Sequence, residues 1–158
     1  MVVKLQKNTS KNKEIYYFRG LSKLAIDSNF EAIQDFNKVL ELDSLYYPAF
    51  ADRGVAKGNL SDFRGAILDL DKAISNSIND PFNYYVRGIA KMQLDMYQDA
   101  ILDFDNAISL DSKFADAFFR RGIAKIAIRK VDQACFDLSQ AGQLGSKVAY
   151  KAINKLCK

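Results

Sequence analysis

The 158-residue sequence predicts an all-α fold built from four antiparallel helix pairs, and three observations carry that prediction. The phrase Arg-Gly-Ile-Ala-Lys stands at Arg87 and again at Arg121, with variants at Arg19 and Arg53, so one register returns every 34 residues without insertion or deletion. Within each period the apolar residues fall into two runs with the three- and four-residue spacing of amphipathic helices, and the alternation of a half-buried strand is missing. The first run of every period holds a glycine and the second an alanine, small residues that let two helices approach closely.

With each glycine set at position 8, the repeats occupy residues 13–46, 47–80, 81–114 and 115–146, flanked by a basic N-terminal tail at 1–12 and a further segment at 147–158. Helix A is expected over about positions 2–14 and helix B over about 17–30 of each repeat. Turn formers lie between them: Asp27 and Ser28, Ser61 and Asp62, and Asp95. Asp80 and Pro81 supply an N-cap and a first-turn proline for the third helix A. A glycine inside a helix costs about 0.5–1 kcal/mol relative to alanine, so four in register need a packing reason. The expected reason is that Gly20, Gly54, Gly88 and Gly122 face Ala32, Ala66, Ala100 and Ala134 at position 20, with Tyr16, Phe50, Tyr84 and Phe118 at position 4 covering the join. Position 24 (Phe36, Leu70, Phe104, Leu138) and position 27 (Val39, Ala73, Ala107, Ala141) complete the inner face of helix B.

Charge repeats in the same register. Position 7 is Arg19, Arg53, Arg87 and Arg121, and position 23 on the opposing helix is Asp35, Asp69, Asp103 and Asp137. One carboxylate per guanidinium predicts a structural ladder, with Lys23, Lys57, Lys91 and Lys125 flanking it one turn on. After Gly145, Val148, Ala149, Ala152, Ile153 and Leu156 share one side of a last amphipathic helix backed by lysines, the cap that the open end of a repeat array requires.

The combination of period, aromatic at position 4, glycine at 8, alanine at 20, aromatic or leucine at 24 and small residue at 27 resembles the tetratricopeptide repeat over residues 13–146. That resemblance implies a right-handed α-solenoid whose A helices line a concave face. One departure is position 32, which is Ser44, Ile78, Ser112 and Ser146 where the family often has proline, so the turn between repeats needs another device.

A second stripe on helix A, at positions 5, 9 and 12, is not polar. It reads Tyr17, Leu21, Leu24; Ala51, Val55, Gly58; Tyr85, Ile89, Met92; and Phe119, Ile123, Ile126. Resemblance puts these positions in the concave groove, and an exposed apolar strip rich in aromatics marks a partner site. The expected function is a non-catalytic adaptor that binds a protein or peptide ligand of apolar or amphipathic character. Small residues in the second repeat suggest a pocket with Ala51, Val55 and Gly58 as floor, Tyr17, Tyr85 and Met92 as rim, and Asp52 and Asn59 as polar contacts. The carboxylate clamp that some family members use for acidic chaperone tails needs lysine and asparagine at positions 5 and 9, and neither is present there.

Other classes fit less well. The chain has no histidine, which removes the commonest general base and metal ligand. The two aspartates in Asp69–Asp71 and in Asp103–Asp105 point away from each other on a helix and cannot share a metal, so no enzyme, metal or cofactor is expected. The net charge of +4 comes from the ends: eight lysines without an acid lie in 1–13 and 147–158, leaving fifteen basic and nineteen acidic residues between, a poor nucleic-acid surface. No apolar run is long enough to span a membrane. Cys135 and Cys157 have no metal-ligand spacing and are expected to be packing thiols in a cytoplasmic, reducing setting. Two alternatives remain: a self-assembling scaffold, since repeat 1 counted from Glu14 to Tyr46 carries three basic and six acidic residues and repeat 4 five and three, and a small chaperone shielding hydrophobic client segments. Val2, Val3 and Leu5 would also let the N-terminal tail lie in the groove as an internal ligand.

Overall fold

The computed structural model describes residues 2–76 and 79–157, with side chains described from residue 12 onward. Its helices are α1 (Val2–Ala25), α2 (Asn29–Leu42), α3 (Tyr47–Asn59), α4 (Phe63–Ser75), α5 (Pro81–Met92), α6 (Tyr97–Leu110), α7 (Ala115–Ala127), α8 (Val131–Gln143) and α9 (Lys147–Leu156). The chain divides into two compact units, Met1–Ile78 and Asn79–Lys158, each holding two helix pairs, with α9 packed on α8 in the second. The segment expected as a separate tail is helical from Val2 onward and continuous with α1, in keeping with a stretch free of glycine and proline. A basic composition alone does not break a helix. The notion that Val2, Val3 and Leu5 line the groove concerns side chains outside the described ones.

The inner face of every B helix is dry: positions 20, 24 and 27, from Ala32, Phe36 and Val39 through to Ala134, Leu138 and Ala141, are all 0% exposed. The position-8 glycines face position 24 first. A Cβ at Gly20 would lie 2.7 Å from Phe36 Cε1 and one at Gly88 2.7 Å from Phe104 Cε1. Where position 24 is leucine, the backbone comes nearer as well, and a Cβ at Gly54 or Gly122 would be 3.2 Å from the carbonyl oxygen of Ala66 or Ala134. The expected glycine–alanine facing is thus corrected to a glycine that receives the position-24 side chain.

Each turn from helix A to helix B is a Schellman cap. Asp27, Ser61, Asp95 and Arg129, all at position 15, take φ between 58° and 64°, and the following amide donates back to the carbonyl of Lys23, Lys57, Lys91 or Lys125. Gly145 does the same between α8 and α9 at φ 97°. Aspartate tolerates this left-handed conformation better than arginine does. Arg129→Gly is therefore expected to stabilise the protein by about 0.5–1 kcal/mol in urea unfolding, and Asp95→Gly to be nearly neutral. Equal effects at the two sites would show that the left-handed turn is not the source.

After repeats 1 and 3, aspartate at position 31 supplies the turn where the proline is missing. Asp43 Oδ1 accepts from the Leu45 amide at 3.1 Å and Asp111 Oδ1 from the Lys113 amide at 2.9 Å. Ile78, the departure in the second repeat, lies outside the described residues. These paired features repeat every 68 residues: Tyr16 and Tyr84, Phe36 and Phe104, Leu70 and Leu138, Asp43 and Asp111. The two compact units follow that longer period.

The charge ladder forms inside each repeat. Arg19, Arg53, Arg87 and Arg121 donate through Nε to Asp35, Asp69, Asp103 and Asp137 at 2.8–3.0 Å, with Nη2 on the second carboxylate oxygen. The lysine at position 11 joins the same carboxylate at 2.7–2.8 Å. Each guanidinium also lies 5.2–5.6 Å from the ring at position 4. The Arg19 hydrogen bond, helped by Lys23, holds the Asp35 carboxyl below the usual carboxylate range against the opposing effect of burial. Lys13 does likewise for Asp43. A folded-state pKa below the unfolded value near 4 gives stability that is present above that pH and lost as pH falls through the folded value. The melting temperature is accordingly expected to drop below about pH 4, and less steeply in Arg19→Leu/Asp35→Leu, as thermal scans across pH 2–6 would register.

Two sequence expectations about cysteine are overturned. Cys135 and Cys157 form a disulfide with Cα atoms 5.7 Å apart, tying α9 to α8 across 22 residues of chain. Neither is a packing thiol, because the turn at Gly145 brings α9 back along α8 at the point where the other repeats place isoleucine, as at Ile101.

Candidate peptide-binding site

In the N-terminal unit the stripe comes from α1 and α3. Tyr17, Leu21 and Leu24 are half-buried against the core of Ala32, Phe36, Val39 and Ala49. The Tyr17 ring packs edge-on to Tyr46 with centroids 5.0 Å apart and against Phe36 at 6.1 Å. Its hydroxyl donates to Asp52 Oδ2 of α3 at 2.7 Å. Burial first, then the Asp52 carboxylate, raises the phenol well above its ordinary value, so Tyr17 is a neutral donor.

Ala51 is buried with Phe50 and Ala73, and Val55 is half-buried. Gly58 is turned inward: a Cβ there would lie 3.9 Å from the Ala66 Cβ of α4, so its lack of a side chain opens space toward the helix partner. Asn59 donates through Nδ2 to Asn29 Oδ1 at 2.9 Å. The polar groups expected at a pocket, Asp52 and Asn59, are thus engaged in contacts that join α3 to α1 and α2. The remaining rim residues, Tyr85 and Met92, belong to the other compact unit.

In the C-terminal unit the stripe comes from α5 and α7, which touch. Tyr85, Ile89 and Met92 pack on the core formed by Ala100, Phe104 and Ala124. The Tyr85 ring lies 4.8 Å from Phe114 and 6.1 Å from Phe104. Phe119, Ile123 and Ile126 of α7 are half-buried, and the Arg120 guanidinium stands 5.9 Å from the Phe119 ring. Here six apolar side chains retain accessible surface with no polar residue of the stripe between them. Such a surface can accept aliphatic or aromatic side chains.

Sequence reasoning missed the aromatics that hold the stripe tyrosines. Tyr46 and Phe114, both at the last position of a repeat, pack against Tyr17 and Tyr85, and their 68-residue spacing was the available signal. Asp103 and Asp105 diverge as residues two apart on a helix do: Asp103 is buried on Arg87, while Asp105, about half exposed, pairs with Arg121. No helix among the described residues is long and apolar enough to cross a membrane.

No known family profile and no curated protein matches the chain in sequence. Solved structures do match it. The chain is similar to MamA, with 25% identity and a TM-score of 0.83 over 91% of this chain and 80% of that one. It is also similar to the first TPR of Spaghetti (RPAP3) bound to the HSP90 peptide SRMEEVD, at 22% identity and TM-score 0.68 over 73% of this chain and 93% of that one. A third likeness is to the Arabidopsis OM64 TPR domain, at 21% identity and TM-score 0.68 over 77% of this chain and 98% of that one.

Proposed function

We propose that this chain, an all-α tetratricopeptide-repeat array, is a non-catalytic adaptor that binds an apolar or amphipathic peptide on its A-helix stripe. The observation that carries the reading is the half-open surface of Tyr85, Ile89 and Met92 on α5 and Phe119, Ile123 and Ile126 on α7, which remains after both helix pairs have packed. Tyr17, Leu21, Leu24, Ala51 and Val55 form the corresponding surface of the other unit, already partly closed by the Tyr17–Asp52 hydrogen bond. Aromatic and branched side chains anchored on rigid helices bury large area at little entropic cost, which suits them to peptide capture. RPAP3, a structural neighbour, holds an HSP90 peptide. Positions 5 and 9 here lack the lysine and asparagine of a carboxylate clamp, so the favoured ligand is apolar and not an acidic tail.

The Cys135–Cys157 disulfide moves the expected setting away from the reducing cytoplasm, where cystines are rare, toward an oxidising compartment. The test is capture of partners from a native lysate by the wild-type protein and by Ile123→Glu, with circular dichroism confirming that both are folded. A partner retained by wild type and lost by Ile123→Glu, and whose isolated segment then binds the purified protein, supports the groove. Equal capture by both proteins overturns it, and a protein that instead sediments as a homo-oligomer dissociated by Ile123→Glu establishes the self-assembling scaffold.

A further inference from the structure

We propose that the outer face of α1 is a second docking site, built to receive one amphipathic helix of another protein that carries aspartate or asparagine followed by aliphatic residues two and three positions on. The internal repeats state what covers this face. In α3, Ala49 and Ala56 are fully buried, Ala49 against Val39 of α2. In α7, Ala117 and Ala124 are fully buried, Ala124 against Ala100 and Phe104 of α6. The preceding B helix thus lies on the A helix at positions 3 and 10.

Polar contacts complete the same interface. Arg53 uses its remaining nitrogen, Nη1, to donate to Asn37 of α2 at 2.6 Å, and Arg121 Nη1 donates to Asp105 of α6 at 2.6 Å. The covering helices therefore read Asn37-Lys38-Val39-Leu40 and Asp105-Asn106-Ala107-Ile108, an acceptor followed by small or aliphatic residues.

On α1 the same face is uncovered. Ile15 and Phe18 are 58% and 62% exposed, Ile26 just beyond the helix is 74% exposed where its counterpart Leu60 is 48%, and the Arg19 side chain is 54% exposed where those of Arg53 and Arg121 are 16% and 14%. Among the described residues Arg19 Nη1 donates to none, so the acceptor that Asn37 and Asp105 provide elsewhere is the complement this face lacks. In a folded second copy Asn37 and Asp105 are engaged in their own chain, so neither of these two acceptors is presented to this face. The occupant is a helix from a different protein, and the site is separate from the stripe of α5 and α7.

A fluorescein-labelled peptide with the α6 sequence Tyr97–Leu110, titrated with the full chain by fluorescence anisotropy, tests the site. Saturable binding is expected, weakened at least tenfold by Phe18→Glu or Ile26→Lys in the protein, or by Asp105→Leu in the peptide, and unchanged by Ile123→Glu. Both protein variants lie at exposed positions, and each must keep the wild-type melting curve; the two serve as independent readings. Absence of saturable binding, binding unaffected by both front-face variants, or binding lost with Ile123→Glu overturns the proposal. A wild-type homodimer that Phe18→Glu converts to monomer also overturns it, assigning the face to a second copy.

Discussion

Asp103→Leu is expected to destabilise the protein by about 3–5 kcal/mol, because it removes the anion that two half-buried cations share. Asp103 is 2% exposed, accepts from Arg87 Nε at 3.0 Å and meets Lys91 Nζ at 2.8 Å, while the side chains of both cations are only 15% exposed. Leucine has nearly the right volume but takes the buried carboxylate from Arg87 and leaves the Lys91 charge facing hydrocarbon, and the cost of a stranded charge exceeds the worth of the pair that held it. Arg87→Leu should cost less, since Lys91 still neutralises the carboxylate. The double variant Arg87→Leu/Asp103→Leu should then be more stable than the sum of its parts predicts, by about 1–3 kcal/mol of coupling in urea unfolding. Additive losses would show that the ladder is a set of independent surface contacts. The same cycle at Arg19 and Asp35 should give weaker coupling, because the Arg19 side chain is 54% exposed and solvent screens the pair.

The ladder was legible in the sequence because both partners recur at fixed positions of a strict register, so stoichiometry alone matched one aspartate to one arginine. The helix pairs were legible for the same reason: small residues repeated at positions 8, 20 and 27 mean contact, and positions 20 and 27 are 0% exposed in every repeat. Which residue the glycine meets was not legible, since facing depends on how two helices cross, and the structure gives Phe36 and Phe104 in place of the alanines. Gly58 misled for a related reason. A stripe drawn by residue spacing ignores the direction of the missing Cβ, and at Gly58 that direction is toward Ala66. The longer 68-residue period went unread because attention to what all repeats share hides what alternates between them, and the alternating residues are the ones that fix the turns at Asp43 and Asp111 and the ring contacts of Tyr46 and Phe114.

Cysteine pairing required the fold, and it supports the second large expected effect: reduction, or Cys135→Ser, should cost about 3 kcal/mol, the loop-closure contribution for a cross-link spanning about 20 residues. α9 is otherwise held by little. Ala149 is fully buried and the Tyr150 hydroxyl donates to the Gly142 carbonyl at 3.0 Å, but the Tyr150 and Val148 side chains are 55% and 53% exposed. Once the bond is cut, α9 should release first, so trypsin should cleave after Lys147 and Lys151 faster in the reduced protein, and amide exchange should rise there before it rises in α7. Because α9 covers α8 at Gly142 through Tyr150, its loss uncovers that end of the array, and a repeat fold passes that loss to its nearest neighbour. The melting temperature should therefore fall together with the protease resistance, and Cys157→Ser should reproduce both effects in the absence of reductant. An unchanged melting curve, measured while thiol titration rises from zero to two per chain, would mean that α9 is a passive appendage and that this end of α8 is stable without its cap.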